Sequence, residues 1–124
     1  MGYILITNND LMNDFEGEKI FVNGSAWDVL VKTRDYIHKG HRLISSPIGA
    51  SIRMLLSPIK SVIISSDVEP QDEYSLQQIE TAIEKFRMIT SNRGEDIKNS
   101  SDYKEVDREL ILAAIDEARK NLWR

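Results

Sequence analysis

The stretch Y-I-H-K-G-H-R-L-I-S-S-P-I-G-A-S, Tyr36 to Ser51, decides how the chain is read, because within it a helix stops, a strand runs and a small-residue loop opens. His38 and Lys39 suit the carboxyl end of a helix, where the backbone dipole favours cations, and Gly40 suits the left-handed position that closes one. Arg42 to Ser45 then reads as a short strand, apolar at Leu43 and Ile44. Pro47 blocks its continuation, and Gly49 permits backbone angles that other residues resist, so the loop turns sharply.

Upstream, Ser25-Ala26-Trp27-Asp28 carries the hydroxyl and carboxylate spacing of a capping box, which predicts a helix from about Ser25. Val29, Leu30, Thr33, Tyr36 and Ile37 fall on one face of that helix, the face expected to lie on a sheet. Tyr3 to Ile6 is a continuous apolar run of strand length that ends in Thr7-Asn8-Asn9. Such runs belong to strands covered on both faces. Leu11 to Phe15 predicts one helical turn, and Lys19 to Val22 a second, shorter strand that ends at the turn signal Asn23-Gly24.

Downstream, Ile52 to Leu56 lies between Pro47 and Pro58 and predicts a short helix or connection. Lys60 to Ser66 is dense in branched residues and is expected at the sheet centre. Glu69 to Glu73 reads as a linker. Ser75 with Gln78 repeats the capping-box spacing before a long helix with an apolar face from Leu76 to Ile89. Ser91 to Ser101 reads as an exposed, mobile loop. A last helix over about 103–123 carries Val106, Leu110, Ala113, Ala114, Ala118 and Leu122, with Ile111, Leu112 and Ile115 widening the stripe. The expected architecture is a single α/β domain over residues 1–124 in the order β-β-α-β-β-α-α. Its small, mostly parallel sheet of about four strands is flanked by helices in a three-layer, Rossmann-like or flavodoxin-like arrangement.

A length of 124 residues fits one core, and 41% hydrophobic with 29% charged residues is a globular balance that argues against a disordered or fibrous chain. The net charge of -4 supplies no broad basic field, which argues against nucleic acid as a partner. Without cysteine, thiolate metal sites, clusters and thiol chemistry are excluded together. No apolar run approaches the roughly 20 residues that span a bilayer, and the first residues lack a secretory pattern, so no membrane role and a cytoplasmic location are expected.

In a parallel sheet the polar exits of the strands gather on one rim. That geometry nominates Thr7, Asn8, Asn9, Ser45, Ser46, Gly49, Ser51 and Ser65 as ligand-facing, with hydroxyls and free amides suited to a small anion. The same residues are equally good turn formers, and both readings stand. No metal site and no cofactor are expected: Gly40 separates His38 from His41, and no third ligand has a recognisable spacing. His41 is the weak candidate for a catalytic base.

Several segments together resemble one family: I-T-N-N-D-L at Ile6 to Leu11, D-V-L-V-K-T-R-D-Y-I-H-K-G-H-R-L at Asp28 to Leu43, P-I-G-A-S-I at Pro47 to Ile52, P-I-K-S-V-I-I-S at Pro58 to Ser65 and S-L-Q-Q-I-E-T-A-I at Ser75 to Ile83. They are similar to the GrdX family, small proteins encoded beside glycine, sarcosine or betaine reductase components in anaerobic amino-acid-fermenting bacteria. The resemblance covers about the first two-thirds of the chain and is most specific at R-D-Y-I-H-K-G-H. It implies association with that selenium-dependent reductive pathway and brings no catalytic residues. Family members often have a histidine before the first proline and an Asn and Thr stretch before the second. Ser46 and Met54-Leu55-Leu56-Ser57 stand there instead.

The expectation that follows is an accessory or regulatory protein that binds a small anionic ligand or a reductase component. Two alternatives accompany it. One is a small enzyme with a His and Ser site acting on an acyl or phosphorylated metabolite; the other is a structural homodimer joined through the last helix.

Overall fold

The computed structural model describes residues 2–47, 56–70 and 72–122. The predicted helix 52–56 therefore lies almost wholly outside the described residues. Strand β1 (Tyr3–Thr7) leads through a 3-10 turn (Asp10–Met12) to β2 (Glu18–Phe21) and helix α1 (Ala26–His38). Strand β3 (Ser61–Ser65) and helices α2 (Glu73–Arg93) and α3 (Ser100–Leu122) follow.

The capping box forms as the sequence requires. The Ser25 hydroxyl accepts from Asp28 N at 3.3 Å while the Asp28 carboxylate accepts from Ser25 N at 2.9 Å. At the other end Gly40 adopts φ 113°, the left-handed backbone that glycine alone enters without penalty. A Cβ there would meet the Glu69 carbonyl oxygen at 2.4 Å.

Among the described residues the sheet has three strands in the order β2-β1-β3. β2 runs parallel to β1 as expected, but β3 is antiparallel to it, with Thr7 opposite Ser61 and Tyr3 opposite Ser65. The expectation of four mostly parallel strands with Lys60 to Ser66 at the centre is thus corrected: β1 is central. Arg42 to Ser45 forms a single antiparallel bridge, Leu43 to Ile64, on the outer side of β3. Its direction is that of β1, since both pair antiparallel to β3. β3 enters from the opposite end and takes the place beside β1.

Alternation along the strands builds two cores. Leu5 and Ile63 face α3 and meet Ile111, Ile115 and Ala118, while Ile4, Ile6, Val62 and Ile64 meet Val29 of α1. α2 lies against α1 through Leu30, Ile37, Ile79, Ile83 and Phe86. The layers are α3, sheet, then α1 with α2. No helix of the described residues is long and apolar enough to cross a membrane.

Two helix boundaries shift from expectation. Asp72 caps α2, its carboxylate accepting from Tyr74 N and from the Ser75 hydroxyl. Ser75, expected as the cap, is buried and also accepts from Leu43 N at 3.0 Å. The expected 91–101 loop is shorter than read: α2 continues to Arg93, Gly94 turns with φ 74°, and α3 starts at Ser100.

Replacing Gly40 by Ala combines a left-handed strain with a backbone clash and is expected to cost about 2–3 kcal/mol. Urea unfolding checks this; an unchanged midpoint would show that the turn relaxes freely.

Candidate functional site

Thr7, Asn8 and Asn9 leave the carboxyl end of β1, and each anchors a different element. The Thr7 hydroxyl lies 2.7 Å from that of Ser61 and accepts from Asn9 N at 2.9 Å. The Asn8 amide donates to Gly24 O and Pro58 O, and its oxygen accepts from Lys60 N at 2.9 Å. Asn8 thereby ties the approach to α1 and the approach to β3 to the end of β1. Asn9 caps the 3-10 turn by accepting from Leu11 N and donates to Lys104 O and to the Asp107 carboxylate. These side chains are therefore engaged with the protein's own groups, most of them distant in the chain.

Alternation splits the start of β3. Ser61 turns toward α3, where its hydroxyl donates to Asp107 Oδ2 at 2.5 Å. Lys60 turns the other way, its Nζ 6.0 Å from the centre of the Phe86 ring on α2. Asp107 and Lys60 are both buried, Lys60 to 5% exposure. Burial pushes the Asp107 carboxyl above the ordinary aspartate range, opposed by hydrogen bonds from Ser61 and Asn9 and by attraction to Lys60. Burial likewise draws the Lys60 ammonium below the ordinary lysine range, opposed by attraction to Asp107 and Glu95. Glu95, at the end of α2, is raised by partial burial and then by Asp28, with Lys60 acting against both.

The Lys60 ammonium makes no ion pair and no side-chain hydrogen bond among the described residues. Among these residues only Arg42 Nε is both unpartnered and sealed from solvent. The Lys60 nitrogen, unpartnered as well, therefore still touches solvent.

The remaining nominated residues are distributed. Ser65 lies opposite Tyr3, at the far end from Thr7, because β3 is antiparallel; its hydroxyl accepts from Arg42 N and donates to Asp67 O. The shared rim that a parallel β3 would have given Ser65 does not form. The Ser45 hydroxyl accepts from Ile63 N at 2.9 Å. Ser46 lines a cleft of about 340 Å³ along α2, with Tyr74, Gln77 and Lys85. Gly49 and Ser51 lie outside the described residues. His41 is buried, its Nδ1 2.7 Å from Ser65 O and its ring edge-on to Tyr36. It sits at the Ser65 end, away from Thr7.

Lys60, Ser61 and Asp107 were not among the residues nominated from sequence. A signal existed for Asp107. It occupies the inward row Tyr103, Asp107, Ile111, Ile115, Ala118, where a carboxylate interrupts an apolar face of helical spacing. The stripe read from sequence was rotated from this row, and Val106, Leu110 and Leu112 are exposed.

The charges at this corner predict opposite pH slopes. Folded Asp107 binds its proton more tightly than the unfolded chain, so stability falls as pH rises from about 3.9 through the folded value. Lys60 binds its proton less tightly when folded, so stability rises with pH from the folded value to about 10.4. Asp107→Asn keeps an acceptor for Ser61 and Asn9 and should flatten the acid-side slope to the share that Glu95 contributes, whereas Asp107→Leu strands two donors and should cost about 2–3 kcal/mol. Lys60→Met should raise Tm by about 3–5 °C. Thermal melts from acid to alkaline pH check these outcomes, and a lower Tm for Lys60→Met would mean that the ammonium stabilises the fold.

The family model described as GrdX-like protein matches residues 4–116. The match extends beyond the two-thirds recognised in the sequence and includes Lys60, Ser61 and Asp107. Neither a curated protein nor a solved structure matches the chain. With the match running from β1 into α3, the chain belongs to the GrdX-like protein family.

Proposed function

We propose that this GrdX-like chain is an accessory or regulatory protein of a glycine-reductase-type amino-acid fermentation system, and that it binds a small anionic ligand at the Lys60 corner. The observation that carries the ligand is the buried, solvent-touching ammonium of Lys60 without an ion-pair partner among the described residues. Holding an unpaired cation in a dry setting is unfavourable. A carboxylate or phosphate at its exposed side supplies the missing countercharge and restores the protonated form. Asp107 and Glu95 are both shifted toward their neutral forms, which weakens their opposition to an anion. The pathway rests on the family, and the ligand rests on this corner.

A partner component has a separate support in Val106 and Leu110, exposed one turn apart on the same face of α3. Neighbouring exposed apolar side chains on one helix face suit an association surface. Sedimentation velocity of the full chain against Leu110→Lys tests self-association: a dimer lost in the variant supports it, and a monomer in both ends it.

For the ligand, acetate, phosphate and acetyl phosphate are the probes. A ligand at about ten times its Kd adds about 1.4 kcal/mol, a Tm rise of about 5 °C. That rise should vanish in Lys60→Met and shrink at alkaline pH. No rise with any probe would refute anion binding.

A further inference from the structure

The anion reading leaves open what else the ligand carries, and the setting of Lys60 answers it. Lysine acts as a nucleophile when its amine is desolvated and uncharged. Lys60 meets the structural conditions: its carbon chain is enclosed, Phe86 stands beside it, no hydrogen bond occupies its nitrogen among the described residues, and that nitrogen reaches solvent. The exposed lysines, Lys39 and Lys98 among them, lack this enclosure.

We propose that the ligand is a small carbonyl-bearing acid and that the Lys60 amine captures it as a reversible imine. This rests on the reading of Lys60 as the ligand-facing group. The nitrogen lone pair attacks the carbonyl carbon and forms a carbinolamine. The carbonyl oxygen then leaves with the two amine hydrogens as water, and the carbon-nitrogen double bond remains. Hydrolysis reverses each step, and nothing is oxidised or reduced. A further proton on the imine nitrogen gives a cation where the ammonium stood. Asp107 and Glu95 attract it as they attract the ammonium, and the acid group of the ligand adds a negative charge beside it. Burial draws Lys60 toward the uncharged amine that the attack requires.

The test uses the full chain with glyoxylate, the smallest acid of this class, and sodium cyanoborohydride, followed by intact mass and peptide mapping. The expected result is one reduced adduct at Lys60, formed about tenfold faster than at Lys39 or Lys98. Normalised to Lys39, acetaldehyde should react with Lys60 more slowly than glyoxylate does. Lys60→Arg, shown by circular dichroism to be folded, should lose the adduct while keeping the cation. Adducts spread evenly over surface lysines overturn the imine. Stabilisation by phosphate or acetate without a Lys60 adduct overturns the imine and leaves the anion reading standing. Absence of both overturns both.

Discussion

One carboxylate, Asp107, holds the far layer of the molecule to the sheet. It accepts from Ser61 on β3 and from Asn9 after β1, and those two residues are themselves linked through the Thr7 hydroxyl. In a dry interior each of these groups is costly when alone and stabilising when all are matched. Lifting α3 away would strand a donor on β3 and another in the turn after β1 together. The apolar contacts of Ile111 and Ile115 supply area on this face, but the carboxylate fixes the position of the helix along it. Asn8, one residue away, extends the same junction to the approach to α1. Three consecutive residues at the end of β1, Thr7 to Asn9, therefore set where two helices and the neighbouring strand meet.

Much of this was legible in the chain itself. The capping box at Ser25, the five-residue inward face of α1 and the glycine closure at Gly40 are local events, decided within one or two helical turns, and sequence specifies them directly. β1 and β2 were legible as apolar runs bounded by turn residues. The direction of β3 was not, because a fully buried run such as Ser61 to Ser65 presents the same side chains whichever way it enters. Its reversal moves Ser65 to the opposite end from Thr7 and puts Lys60 and Ser61 there in its place. Lys60 reads in sequence only as the first residue of a strand. Only the packing of α2 and α3 shows that it is enclosed.

The Lys60 corner also departs from what stability alone would select. Volume-matched apolar residues commonly replace buried charges without loss, so a buried cation without an ion-pair partner among the described residues is a local conflict in an otherwise consistent fold. Conflicts of this kind concentrate at functional sites. By contrast Asp107, equally buried, is matched by two donors and is explained by architecture. The two charges share an electrostatic field yet have different reasons to exist.

Among the described residues β2 has one neighbour in the sheet, and no strand pairs with its other margin. It spans four residues, begins with the charged pair Glu18-Lys19 and is followed closely by Asn23-Gly24. So brief and charged a margin offers little purchase for a foreign strand to extend the sheet. Lengthwise growth into fibrils is thereby discouraged by the margin itself.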